Sequence, residues 1–276
     1  MTFSRDIADY PEGIILAVDK PYRWTSADVI RKLKYAAIKH FGKKNLKVGH
    51  AGTLDPLATG VLLVCIGNAC KRAQELQDHD KEYIARIRFG ATTPSYDLEK
   101  EVDRTFPYEH ITAVAVRAAL PAFVGEQEQV APLFSAKSVD GVRAYELARK
   151  LYRSGRTAEL DAAALETLHR SRILISELEL LDFTDGSSAG TPTLPAERAL
   201  STASSRIHVA DTSALGLPEA VVRIVCSKGT YIRAFARDLG EALGSGAHLG
   251  GLIRSRSGDV RVEDAISVDQ ALALLA

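Results

Sequence analysis

At 276 residues the chain is long enough for one large mixed domain with a sizeable core, and its 46% apolar and 25% charged residues exclude a disordered or collagen-like chain. The longest apolar run, Val61–Ile66, is far too short to span a bilayer, and the start lacks a basic region followed by an apolar one, so a cytoplasmic protein is the expectation. The 35 basic and 35 acidic residues cancel overall, yet Lys20–Lys47 carries nine bases against one acid, Arg223–Arg261 seven against three, and Thr157–Val222 four against ten. Such segregation suits a polyanion-binding face with an acidic back, the plainer alternative being an ordinary solvated basic helix.

In chain order, Gly13–Asp19 reads as a strand, and Thr25-Ser26 then caps a helix with apolar positions at Val29, Leu33, Ala36 and Ala37. Val61–Ile66 reads as a buried strand, and Asn68 is expected to cap a helix ending near Asp80. Tyr83–Phe89 alternates as a strand does, and Ile111–Leu120 has helical spacing. After a turn at Pro121–Gly125, Val130–Val139 reads as extended, Asp140-Gly141 as a turn and Ala144–Tyr152 as a helix. Strands follow at Arg172–Leu181 and Ala220–Ser227, with helices at Ile232–Leu243 and Val268–Leu275. The Ser-, Ala-, Thr-, Gly- and Pro-rich stretch 185–217 reads as a surface insertion or flexible loop within one domain. Without regular βαβ alternation the class is α+β. Cys65, Cys70 and Cys226 form no CxxC pair or metal-ligand spacing and are read as reduced thiols.

The densest chemical signal is Gly49-His50-Ala51-Gly52-Thr53-Leu54-Asp55-Pro56-Leu57-Ala58-Thr59-Gly60. Three glycines and a proline fix an irregular loop just before a buried strand, where a side chain can be held rigidly at a cleft. It has neither the spacing of a phosphate-cradling P-loop nor a G-x-S-x-G nucleophile elbow. It offers one carboxylate, Asp55, and one imidazole, His50; the plainer reading is an Asx-turn before Pro56 and a satisfied loop histidine. In Cys226-Ser-Lys-Gly-Thr-Tyr-Ile-Arg233, a Gly turn opens a helix that carries Tyr231 and Arg233. The planar fork of Arg233 fits a buried carboxylate, although a surface ion pair is the alternative. Tyr83 could stack on a base, or serve as a core aromatic like Tyr231.

Taken together, LAVDKP at Leu16–Pro21, Trp24-Thr-Ser, GHAGTLDPLATGVL, Lys81-Glu-Tyr83, APLFSAKSVDGVRAYELAR at Ala131–Arg149, CSKGTYIR and Gly246-Ala-His248 resemble the TruB family of tRNA pseudouridine synthases. The resemblance runs from about Gly13 to Arg256. It implies the pseudouridine synthase fold, a central mixed, mostly antiparallel sheet flanked by helices and loops. It also implies isomerisation of the T-loop uridine, tRNA position 55, to pseudouridine without ATP, redox cofactor or metal. By resemblance Asp55 is the catalytic aspartate, acting at ribose C1′ either as a covalent nucleophile or by stabilising charge while a glycal forms. Arg233 is its partner, and Tyr83 stacks on the uracil and is a candidate general base. Tyr231 and Leu252 line the base pocket, and His50 enters the T-loop as the base flips out. Lys20 and Pro21 match a structural pair beneath the active-site loop, and Lys20 is counted with the substrate-binding residues. Lys137, Arg143 and the lysine-rich helix are candidates for phosphate contact, the former two within a segment, about 127–155, that closes over the RNA.

The resemblance further implies one catalytic domain over 1–258, a short helical tail over 259–276 with no PUA-type domain, and a cytoplasmic monomer acting on the tRNA T-arm. It implies no membrane and no obligate protein partner. Two departures stand out. Arg23 occupies a position where the family has glycine, so that turn is expected to differ, and the acidic insertion is atypical. A module that helps RNA fold without chemistry is the alternative, separated from the enzyme by an Asp55→Asn variant.

Overall fold

The computed structural model describes residues 2–135, 138–139, 142–156, 159–168, 170–186 and 207–276. In chain order they form β1 (Ile14–Lys20), α1 (Ser26–Phe41), β2 (Val48–Ala51), β3 (Ala58–Ile66), α2 (Ala73–Asp78), β4 (Lys81–Phe89), β5 (Ala91–Thr92), β6 (Arg104–Thr105), α3 (Ala113–Ala119), β7 (Gly125–Gln129), β8 (Ser138–Val139), β9 (Val142–Arg143), α4 (Ala144–Arg153), α5 (Leu160–Thr167), β10 (Ser171–Thr184), β11 (Glu219–Cys226), α6 (Ile232–Ala242), β12 (Ala247–Ser257), β13 (Val260–Arg261) and α7 (Val268–Leu274). These residues group into two compact units. The first holds the described residues up to Tyr83, then Ile207, then Ile253–Ala276; the second holds the rest, and the chain crosses between them within β4 and within β12. A mixed sheet flanked by helices makes the class α+β, as the sequence implies. Among the described residues no helix is long and apolar enough to cross a membrane.

In the first unit β3 is the centre. It runs antiparallel to β1 from Ile14↔Ile66 to Lys20↔Gly60 and to β2 from Val48↔Ile66 to Ala51↔Leu63. All nine of its residues are buried, the signature of a strand covered on both faces. Leu62, Val64 and Ile66 pack with Val29, Leu33 and Ala37 of α1, while Val61, Leu63 and Cys65 pack with Ala69 and Leu76. Thr25 starts α1 through a capping box, its hydroxyl accepting the Asp28 N–H and the Asp28 carboxylate accepting the Thr25 N–H, both at 3.0 Å. Val268, Ala271 and Leu275 enter the same core. Burial of one apolar face ties this helix to the unit that opens the chain.

In the second unit β4, β11, β10 and β7 lie side by side. Here β10 pairs antiparallel with β11, with register shifts at Ile175/Glu177 and Leu180/Asp182, and with β7 from Ser171↔Gln129 to Ile175↔Gly125. A smaller apolar cluster joins Val130, Ala131 and Leu133 to Ala148 and Leu151 of α4 and to Leu160 and Ala164 of α5.

Several local expectations are corrected. Asn68 caps no helix: a 3-10 turn covers Gly67–Arg72 without a side-chain cap, and the Asn68 amide instead donates to Pro11 O at 2.8 Å. Of the stretch expected to be extended, 130–135 is irregular and Ser138–Val139 is a strand, while a further strand, Gly125–Gln129, occupies the end of the expected turn. Of the supposed insertion, residues 187–206 lie outside the described residues, but its far end is packed rather than loose. Ala210 and Thr212 are buried, and the Ala210 N–H donates to Leu98 O at 2.8 Å. The Asp140-Gly141 turn also lies outside the described residues. Cys65, Cys70 and Cys226 are all free thiols.

Candidate active site

Asp55 sits on the loop between β2 and β3, in the first unit. Its backbone carbonyl accepts the Ala58 N–H at 3.1 Å, closing a turn in which Pro56 presets the second position. Three buried side chains hold this loop. Arg254 is 1% exposed and donates from Nε to Val61 O (2.7 Å), from Nη2 to Gly52 O (3.0 Å) and from Nη1 to Thr53 O (3.5 Å). Lys20, wholly buried, donates from Nζ to the carbonyls of Pro21 (2.9 Å), Trp24 and Pro56 (3.2 Å). The Ser26 hydroxyl donates to Leu54 O (3.1 Å) and accepts the Leu54 N–H (2.9 Å). Three donor side chains thus satisfy the carbonyls of an irregular buried segment that has no ladder of its own.

Close packing explains one of the glycines. Gly60 adopts φ 97°, and a Cβ there would lie 2.2 Å from Arg254 O, so the strand can pass the arginine only as glycine.

The electrostatics follow from this burial. Desolvation lowers the Lys20 pKa from 10.5 to about 7; the Asp55 carboxylate opposes that fall and the Arg254 guanidinium adds to it. The Lys20 ammonium thus ties the chain at Pro21 and Trp24 to the Asp55 loop at Pro56. His50 lies on β2 opposite Val64, and its Nδ1 has no hydrogen-bond partner among the described residues. Burial first, then the Arg254 charge, push its pKa below the ordinary value, so the ring is neutral at pH 7. The plain reading of a satisfied loop histidine does not hold. Tyr83 is 9% exposed on β4, two residues beyond Lys81, whose Nζ donates to the carbonyls of Gln77 and His79.

Arg233, Tyr231 and Leu252 belong to the second unit. Arg233, in the first turn of α6, is 5% exposed, which excludes a surface ion pair. Its Nη1 donates to Ser95 O at 3.1 Å, and its Nε lies 3.8 Å from Asp97 Oδ2. Asp97 also accepts from Ser95 Oγ (2.6 Å) and from the Glu99 N–H (2.9 Å). Between them Tyr96 holds φ 57°, a left-handed conformation that a non-glycine residue adopts at a cost. Tyr231 precedes α6, and Gln129 brackets it, accepting its N–H at 2.8 Å and donating to its carbonyl at 3.1 Å. Its side chain packs on the cluster around α4 and α5. Leu252 is half-buried on β12. Lys137 lies outside the described residues, and Arg143 enters only through its backbone, in β9.

Sequence reading missed Arg254, Ser26 and Asp97. Arg254 and Asp97 stand in no motif, and Ser26 is read only as part of Trp24-Thr-Ser at the start of a helix. The only usable hint is that an Arg following an apolar residue, as in Ile253-Arg254-Ser255, needs carbonyl partners if the segment forms a buried strand.

The model of the TruB family pseudouridylate synthases, N-terminal domain, matches residues 38–191. The chain is 50% identical to the tRNA pseudouridine synthase B of Phocaeicola vulgatus over 95% of its own length and 92% of that protein. To the protein of the same name from Thermus thermophilus it is 42% identical, over 92% of this chain and 76% of that one. Among solved structures, one described as a Cbf5-Nop10-Gar1 complex contains a chain with a TM-score of 0.60 and 22% identity, covering 97% of this chain and 56% of that one. This chain therefore spans little more than half of that neighbour, which shares its fold. With half of its residues identical to such a relative across nearly its whole length, and a single carboxylate presented on a clamped loop, the chain belongs to the TruB family of pseudouridylate synthases.

Proposed function

We propose that this chain isomerises the T-loop uridine of tRNA, position 55, to pseudouridine, with Asp55 as the catalytic carboxylate. The observation that carries the reading is the Asp55 loop, pinned by Lys20, Ser26 and Arg254, in a member of this family. A rigidly held carboxylate suits a step that needs one oxygen aimed at one carbon. The N1–C1′ bond breaks, the uracil turns, and C5 bonds to C1′; C5 then loses its proton and N1 gains one. Asp55 either bonds C1′ or stabilises its charge while a glycal forms. Tyr83 stacks on the uracil and can take the proton, and Arg233 pairs with the carboxylate during the reaction. Tyr231 and Leu252 line the base pocket. His50, neutral and with an Nδ1 that has no hydrogen-bond partner among the described residues, fills the space that the flipped base leaves. Lys137 and Arg143 reach phosphates from the 127–155 segment, whose apolar cluster supports a closing element. Because all bonds broken and made lie within one nucleotide, the reading requires no cofactor or metal; it further takes the chain as a monomer that acts on tRNA in the cytoplasm without an obligate protein partner or a membrane.

The test is tritium release from C5-labelled uridine in an unmodified tRNA transcript. The wild type should release label only at the T-loop uridine. Asp55→Asn should lower release by on the order of 10³- to 10⁴-fold while still binding the transcript, the scale of losing a group that acts only in the transition state. Undiminished release by the variant overturns the role of Asp55, and no release by the wild type overturns the activity.

A further inference from the structure

The exposed face of α1 carries a ridge of basic residues around one aromatic ring. Arg31, Tyr35 and Lys39 follow one another at i, i+4 and i+8 along one ridge, with Lys34 on one flank and Lys32 on the other. Lys43 and Lys44 extend the positive charge into the turn beyond. At the centre, Tyr35 is 76% exposed, the most exposed large apolar side chain among the described residues. The lone acid of the segment, Asp28, is already engaged, pairing with Arg31 at 3.0 Å and capping α1. Lys32 lies over the Trp24 ring at 5.2 Å. Lys34, Lys39, Lys43 and Lys44 have no ion-pair partner among the described residues.

From this face we infer a docking surface for the helical stem of the RNA substrate, an inference that rests on the reading of the chain as an RNA-modifying enzyme. Lys34, Lys39, Lys43 and Lys44 meet phosphates, and Tyr35 enters the shallow minor groove against the ribose 2′-hydroxyls. Charge complementarity selects a polyanion. The shape selects a duplex over a single strand: single-strand binders line a groove with several aromatic platforms, whereas here one ring stands on a convex helix 16 residues long. An A-form minor groove is wide and shallow and displays 2′-hydroxyls, which a Tyr hydroxyl can bond. The same helix reaches the chemistry, since Ser26 in its first turn holds Leu54, the residue before Asp55. A stem seated on α1 is thereby set in register with the catalytic loop.

The test measures binding of a fluorescein-labelled RNA hairpin, and of its counterpart with a 2′-deoxy stem, across a salt series. A variant carrying Lys34→Gln, Lys39→Gln, Lys43→Gln and Lys44→Gln should bind the RNA hairpin at least about tenfold more weakly at roughly 0.1 M salt. Its slope of log affinity against log salt should be shallower by about three, since each phosphate that is no longer neutralised lowers the slope by somewhat less than one. Arg117→Gln on α3 is the control and should leave the slope where it is. Tyr35→Ala should weaken the RNA hairpin several-fold and the deoxy hairpin little. An unchanged slope in the fourfold variant, or the same change in the control, overturns the docking surface. Equal weakening of both hairpins by Tyr35→Ala overturns the minor-groove placement. The two readings separate cleanly: tritium release by a wild type whose RNA binding ignores the four lysines overturns this inference alone, whereas lysine-dependent binding without release overturns the isomerase alone.

Discussion

Arg23 holds φ 60°, a left-handed conformation that a glycine adopts freely, at the position where the TruB resemblance places glycine. Its Nη2 donates to Ile207 O at 2.7 Å, which offsets part of the strain, while its buried Nε has no hydrogen-bond partner among the described residues. Two substitutions separate these effects. Arg23→Ala keeps the strained φ and loses the hydrogen bond, so it should destabilise by about 1 kcal/mol. Arg23→Gly loses the same bond but releases the strain, so it should be more stable than Arg23→Ala by about 1 kcal/mol. Urea denaturation of the three proteins measures both differences, and equal stability of the alanine and glycine variants would show that the turn is not strained. At this scale the sequence is informative about which residues matter and silent about how they are held. Asp55, His50 and Arg233 can be singled out because motifs carry them. Their supports cannot, because Arg254 and Asp97 act through backbone carbonyls and carboxylate geometry that no local spacing encodes.

Elements are legible where periodicity is strong. β1, β3 and α1 follow from apolar pattern and a capping Thr, and the structure moves their ends by only a few residues. β12 escapes sequence reading altogether, although it is 11 residues long. Its two adjacent glycines and two arginines contradict strand propensity, and the arginines are tolerated because Arg254 finds three carbonyls within the fold. β2 carries a glycine and a histidine in four residues, and α5 has almost no amphipathic contrast, so neither announces itself. The junction of α1 with the Asp55 loop yields a prediction at the level of elements. Ser26→Ala removes both hydrogen bonds to Leu54 and leaves a buried N–H unpaired, at a cost of about 1–3 kcal/mol. Because the loop then loses its anchor on the helix, kcat should fall by about 10- to 100-fold with a much smaller change in KM, as misplacement of a reacting group by about an ångström does. A variant that loses stability but keeps kcat would make Ser26 a structural residue only.

For the molecule as a whole, zero formal net charge conceals ionisable groups that the fold holds in unfavourable protonation states. Lys20 in one unit and His248 in the other are both basic groups depressed by burial. His248 is wholly buried; its Nδ1–H donates to Ala91 O at 2.8 Å, and its Nε2 has no hydrogen-bond partner among the described residues. Burial chiefly, with the Arg88 charge, lowers its pKa from 6.5 to about 4, against the opposing Ala91 carbonyl and Glu219 carboxylate. The unfolded chain takes up a proton below about 6.5 that the folded chain refuses until about 4, so His248 removes stability as pH falls through that window, by up to about 3 kcal/mol. Lys20 is silent there: it is charged in both states below about 7, and its effect, stability rising with pH, lies between about 7 and 10.5. Asp19 and Asp238, whose pKa values burial raises above 3.8, pull the other way as pH rises past that value. A His248→Leu variant cancels them, because both proteins carry the same aspartates. Urea denaturation of the two proteins at pH 7, 6, 5 and 4 should show the wild type losing ground to the leucine variant steadily towards pH 4, with most of the change between about 6 and 4.5. A constant difference across the series would mean that His248 gains its proton without opening the fold, and that the acid sensitivity of the molecule resides in other groups.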